Sequence, residues 1–215
     1  EPYDSLNIGA HVGDLPGRVA QNRAIIRAAL PVAPAYLHQT HGNIVVRAAD
    51  ALGNTPQADA SVDGGGQAAC AVMTADCLPV LFCDLAGTVV AAAHAGWRGL
   101  AGGILQNTVR AMNVPPSGIM AYLGPAIGPD AFEVGEDVKE TFLPSLPHAG
   151  QAFTPIGGGK YLADIYLLAR LVLEGAGVTQ TYGGTHCTVL ERETFFSYRR
   201  DGQTGRMASM IWLEK

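Results

Sequence analysis

Glycine and proline punctuate this chain so often that long helices are excluded: 27 glycines and 13 prolines fall among 215 residues. Inside a helix each glycine costs about 1 kcal/mol and each proline about 3 kcal/mol relative to alanine. A helical bundle or coiled coil is therefore ruled out. Between the breaks stand short apolar runs of β type, three of them in succession at residues 69–74, 79–83 and 88–94. Residues 36–41, 43–48, 119–123, 178–182, 195–198 and 207–213 read as further extended segments. Helical patterns are fewer. Residues 14–30 form one, stopped by Pro31, and Leu100, Ile104, Leu105, Thr108 and Met112 share a face closed by Pro115 and Pro116. Val134, Val138 and Phe142 predict a short helix broken by Pro144. Leu162, Ile165, Leu168, Ala169 and Val172 predict a longer one, ended by Gly175 and Gly177. Helices interrupt the strands without strict alternation, so the class is α+β, with sheets covered by a few helices. No linker or repeat divides residues 1–215, which are expected to form a single domain.

Composition narrows the function. Charged residues make up 15% against 48% hydrophobic ones, which excludes a disordered polyelectrolyte. A formal charge of −5 repels polyanions, and Arg199-Arg200 is the lone adjacent basic pair, so neither nucleic acid nor an anionic membrane is an expected partner. No stretch is apolar for the 18 or more residues of a membrane span, and Glu1-Pro2-Tyr3-Asp4 lacks the look of a secretory signal. The four cysteines, Cys70, Cys77, Cys83 and Cys187, read as reduced thiols of a cytoplasmic protein.

No Cys-x-x-Cys, His-Glu-x-x-His or His-x-Glu pattern is present, which removes the zinc knuckle, the common metalloprotease and the usual nucleobase deaminase. Three residues stand out by position. His41 precedes Gly42, Cys77 follows Asp76 at the start of a strand, and His94 ends a strand before Ala95-Gly96-Trp97-Arg98-Gly99. Two imidazoles and a thiolate suit Zn²⁺ and leave a coordination position open. His38 would point away from His41 if residues 36–41 were one strand, because side chains alternate. On the residues alone, metal ligation and simple core packing both remain open for this trio.

Five ordered motifs add to this reading: Gln39-Thr40-His41-Gly42, Thr74-Ala75-Asp76-Cys77-Leu78-Pro79-Val80, His94-Ala95-Gly96-Trp97-Arg98-Gly99, Leu123-Gly124-Pro125-Ala126-Ile127-Gly128-Pro129 and Phe196-Ser197-Tyr198-Arg199-Arg200-Asp201-Gly202. With them the chain closely resembles, from Tyr3 to Trp212, the YfiH family of laccase-domain, polyphenol-oxidase-like proteins regarded as purine nucleoside phosphorylases. The resemblance implies a layered αββα fold of mixed sheets flanked by helices. It also implies zinc held by His41, Cys77 and His94, and phosphorolysis of adenosine, inosine, guanosine and S-methyl-5′-thioadenosine with some adenosine deamination. The older family name implies copper-dependent oxidation of phenols. None of the six histidines forms the paired His-x-His of a multicopper oxidase, so any Cu²⁺ activity at the trio is expected to be incidental.

Phosphorolysis needs cations for the phosphate, and Arg98, Arg199 and Arg200 are the candidates. A proton carrier is sought in Asp76, beside Cys77, or in Glu133. Tyr198 is a candidate for stacking on the purine, as are Tyr36, Trp97 and Phe132; Gln39 and Asn7 are candidates for hydrogen bonding to substrate. Gly157-Gly158-Gly159-Lys160 lacks phosphate-loop spacing and a preceding strand and reads as a turn before a helix. Related chains begin with a further strand and a Thr-Arg-x-Gly-Gly-Val-Ser-type loop, so the native N-terminal segment and an active-site arginine are expected to be missing here. Two other function classes compete: a cysteine hydrolase or deamidase using Cys77 and His94, and a non-catalytic metal-binding scaffold.

Overall fold

The computed structural model describes residues 2–214; Glu1 and Lys215, the two ends of the expected domain, lie outside the described residues. In chain order the elements are α1 (Pro16–Ala29), β1 (Ala33–Ala35), β2 (Val45–Arg47), β3 (Ala60–Asp63), β4 (Ala68–Thr74), β5 (Leu78–Asp84) and β6 (Val90–Ala95). There follow α2 (Trp97–Ala101), α3 (Ile104–Met112), β7 (Ile119–Leu123), β8 (Glu133–Gly135), α4 (Glu136–Phe142), β9 (Phe153–Gly157) and β10 (Lys160–Ala163). The chain closes with α5 (Ile165–Gly175), β11 (Gln180–Gly183), α6 (Tyr198–Asp201) and β12 (Met207–Ile211).

A six-stranded mixed sheet of order β11-β7-β5-β6-β3-β2 forms the centre, and a three-stranded sheet β1-β4-β12 packs on one of its faces. Period-2 alternation explains why both faces of the centre are apolar. On β6, Ala91, Ala93 and Ala95 turn toward Leu105, Val109 and Leu168 of α3 and α5, while Val90 and Ala92 turn toward Cys70 and Val72 of β4. Small alanines let the two sheets approach closely. Met73 lies on the opposite side of β4 from Val72, and there Arg23 of α1 reaches its sulfur. The layers thus run helix, sheet, sheet, helix, the α+β sandwich anticipated above. A third sheet, β8-β10-β9, extends the helical side of the core with Val134 and Phe153, which join Phe142 of α4 there.

Several local expectations need correction. Residues 36–41 are not a strand; they carry an isolated bridge from His38 to Gln57, outside the named strands, and the Gln39 side chain bonds to the Met73 main chain of β4. Gly102 and Gly103, the latter at φ 92°, split the anticipated 100–112 helix into α2 and α3. Residues 195–198 are not extended either: the Ser197 hydroxyl accepts the Arg200 N–H and starts α6. Val134 and Leu162 belong to strands β8 and β10 rather than to the helices that follow them. The triglycine segment 157–159 is a hairpin turn between β9 and β10, with all three residues at positive φ, so a strand does precede it and another follows.

Candidate metal centre and its cavity

Three separate elements deliver the trio to one point. His94 is the penultimate residue of β6 and shares the face of Val90 and Ala92, so its ring enters the gap between the sheets. Cys77 leads directly into β5, and His41 sits in the loop before β2 at φ 61°, a left-handed conformation unusual for a side-chain-bearing residue. One donor atom from each of His41, Cys77 and His94 lies within 4.8 Å of the other two. The Cys77 Sγ to His41 Nε2 distance is 3.7 Å. A tetrahedral zinc, with bonds of about 2.3 Å to sulfur and about 2.0 Å to nitrogen, separates two such donors by about 3.5 Å. The donor chemistry and the spacing both fit zinc. Gly96 makes this approach achievable, since a Cβ there would stand 2.9 Å from the His41 ring and 3.0 Å from the Cys77 sulfur.

Charge is arranged to match. Burial pushes the Cys77 thiol up, but hydrogen bonds from His41 and His94 outweigh it and hold the group at about 6, far below an ordinary thiol. For His94, burial opposes the charged ring, yet hydrogen bonds to Asp59 and Cys77 prevail and raise its pKa. The thiolate is therefore ready at neutral pH. By contrast, burial pushes Cys70 up to about 12.

The trio borders a cavity of about 350 Å³ that is also lined by His11, Gln39, Met73, Tyr198 and Arg206. That size lies in the range of small-molecule sites. A wider cleft of about 800 Å³, around Ser5, Arg192 and Phe196, holds no comparable donor set. Arg206 was not singled out from the sequence. It precedes β12, and its guanidinium lies 5.9 Å from the centre of the Tyr198 ring. Its one signal, an arginine after Thr204-Gly205 at a strand start, becomes meaningful only once β12 is seen beside β4.

Most of the remaining candidates lie outside the cavity lining. Arg98 lies exposed on α2 with its guanidinium over the Trp97 ring, 4.3 Å from its centre. Glu133 is exposed and faces Lys160 at 3.6 Å. The Asp76 carboxylate, buried at a φ of 94°, accepts the Thr188 hydroxyl and the Arg199 N–H. Arg199 donates to the Glu133 carbonyl, and Arg200 to Asp201 and to the carbonyls of Thr188, Val189 and Phe195. Gln39 does line the cavity, but both ends of its amide bind the Met73 main chain at 2.8 Å. Asn7 is wholly buried, accepting the N–H groups of Gly9 and Arg206 and donating to Asp14. Of these candidates, Tyr198 lines the cavity without such a commitment.

A mixed-sheet sandwich with two imidazoles and a thiolate at the parting of its sheets defines a laccase-domain protein. The sequence matches the family described as multi-copper polyphenol oxidoreductase laccase over residues 1–214. It is 56% identical over 214 residues to the Escherichia coli K12 protein named purine nucleoside phosphorylase YfiH, covering 99% of this chain and 88% of that one. It is 50% identical to a Pseudomonas aeruginosa purine nucleoside phosphorylase, with the same coverage of 99% and 88%. The crystal structure of Neisseria meningitidis protein NMB0706 superposes with a TM-score of 0.99 at 66% identity, over 100% of this chain and 89% of the other. The chain belongs to the YfiH family of laccase-domain proteins.

Proposed function

We propose that this protein is a zinc-dependent purine nucleoside phosphorylase of adenosine, inosine, guanosine and S-methyl-5′-thioadenosine that also deaminates adenosine, and that it works in the cytoplasm. The observation that carries this reading is the His41–Cys77–His94 donor set bordering the same cavity as Arg206 and Tyr198. The names of the relatives support the phosphorylase class, and four free thiols accord with a reducing compartment. In phosphorolysis a phosphate oxygen bonds to C1′ of the ribose as the bond from C1′ to the purine nitrogen breaks. The electron pair leaves with the base, which then takes a proton from solvent water.

Arg206 is the cation assigned to the phosphate, in place of Arg98 and Arg199. Burial and the charges of Arg206, His38 and Arg23 all depress the pKa of His11, and His11 and Arg206 both line the cavity. An incoming anion relieves that repulsion. Tyr198 offers a ring face to the purine. Zinc, when bound, supplies a Lewis acid and an activated water for attack at C6 of adenosine. Among the described residues no carboxylate lines the cavity, so His11, whose pKa burial and neighbouring cations hold below the ordinary imidazole value, is assigned as the base that takes a proton from the attacking water, in place of Asp76 and Glu133.

Incubating adenosine or inosine with and without phosphate tests the reading. Free base released only with phosphate, by protein containing about one zinc per chain and inactivated by chelation, is expected. Turnover by metal-free protein would instead favour the cysteine hydrolase, for which the thiolate beside His94 is the supporting observation. Absence of turnover would leave a metal-binding scaffold. Copper oxidation remains incidental here, because the described residues contain one such three-donor group and a multicopper oxidase needs several.

A further inference from the structure

Asp59 was not among the residues singled out from the sequence, where it stands in the polar stretch between β2 and β3. In the fold it is wholly buried and surrounded by donors. Its Oδ1 lies 2.8 Å from His94 Nδ1 and accepts the His41 N–H at 2.9 Å. Its Oδ2 accepts the Gly42 N–H at 2.8 Å, the Thr40 N–H at 3.2 Å and the Thr40 hydroxyl at 3.3 Å. The main chain strengthens the link, since the His94 N–H donates to the Asp59 carbonyl at 2.7 Å.

We infer that Asp59 is the positioning residue of the metal centre, a single carboxylate that aims both histidine ligands. An ionised carboxylate can only accept, so the proton of the His94 ring must sit on Nδ1. A metal bound on the side of Cys77 would then replace the remaining proton at Nε2, giving the tautomer that ligation requires. For His41 the control runs through the backbone. Three consecutive N–H groups, from Thr40 to Gly42, point at the same two oxygens and form a nest that holds His41 in its left-handed conformation. A ligand in such a loop has no strand to fix it; Asp59 takes that part. The inference rests on the zinc reading of the trio and is independent of which nucleoside is turned over.

Zinc affinity, measured by competition with a chromophoric chelator, tests it on the full chain. Asp59→Asn presents an amide that can donate to His94 Nδ1 and drive the ring proton to Nε2. Zinc binding should weaken about 10–100-fold, and the thiolate-to-metal and ligand-field bands of the cobalt(II)-loaded protein should shift. A merely structural role would lower the melting temperature of the metal-free protein and leave the cobalt spectrum unchanged. Wild-type zinc affinity and an unaltered cobalt spectrum in Asp59→Asn overturn the inference. If that variant does not fold, long-range ¹H–¹⁵N correlation on the zinc-loaded wild-type protein decides instead. A proton on His94 Nδ1 with a metal-bound Nε2 is expected, and the reverse assignment overturns the proposal. Neither readout needs a nucleoside, so a failure of phosphorolysis leaves both interpretable; a wild-type chain that binds no zinc overturns both readings.

Discussion

Cys77 carries the most perturbed chemistry of any side chain in the cavity. With its thiol held at about 6 rather than near 9, the nucleophilic thiolate predominates throughout neutral pH in metal-free protein. Alkylation by iodoacetamide should therefore rise as pH climbs toward 6 and level off above it, whereas an ordinary thiol would keep accelerating to about pH 8.5. Peptide mapping of the modified cysteine checks this, and Cys70, pushed up to about 12, should stay unmodified. Gly96 gives a second prediction at this scale. Adding a methyl in Gly96→Ala forces His41 or Cys77 to move, since the new carbon would lie 2.9 Å and 3.0 Å from their atoms. Zinc affinity should fall at least tenfold with little change in the far-ultraviolet circular dichroism.

Among the elements, β12 matters most to the cavity, because it brings Arg206 beside β4. Its position depends on Asn7, whose buried amide accepts the Arg206 N–H at 2.9 Å. Asn7→Ala strands that donor and others, at a cost of about 1–3 kcal/mol for each buried group left unsatisfied. Thermal denaturation should show a lower melting point, and phosphate should bind more weakly. Arg206→Ala separates the two effects: the KM for phosphate should rise at least tenfold, while KM for the nucleoside changes less. An unchanged phosphate KM would remove Arg206 from the proposed mechanism. The β4, β5 and β6 strands were legible because their apolar runs are unbroken and bounded by polar turns. The 36–41 segment was misread because its alternation resembles a strand, yet Asp59 draws the backbone N–H groups of Thr40, His41 and Gly42 out of any ladder. The α6 turn was missed for a similar reason: a serine cap outweighs the β preference of Phe195 and Phe196.

For the molecule as a whole, the His41–Cys77–His94 cluster joins a loop beside the small sheet to two strands of the central one. Zinc that binds only the folded chain stabilises it by about 2.7 kcal/mol at a free concentration one hundred times its dissociation constant. For a chain of this length the melting point should then fall by about 5–10 °C on chelation. Scanning calorimetry with and without a chelator measures this, and an unchanged melting point would argue against a site that closes on folding. The core beneath is less forgiving: Phe82→Ala removes a fully buried ring and should cost about 3–5 kcal/mol.

The class of fold was readable along the chain, because hydrophobic period and chain breakers are local properties of neighbouring residues, whereas His41, Cys77 and His94 were picked out as a possible donor set through the motifs that resemble the YfiH family. The roles proposed for Asp59, Arg206 and His11 were not readable along the chain, and neither were the hydrogen bonds that engage Asn7, Gln39 and Asp76. Those assignments depend on which atoms meet across the gap between two sheets, from segments as distant as Asn7 and Arg206. A polar side chain is free to act only as far as folding leaves some of its donors and acceptors unspent, and Arg206 itself already gives one guanidinium nitrogen to the carbonyls of Thr204 and Gly205.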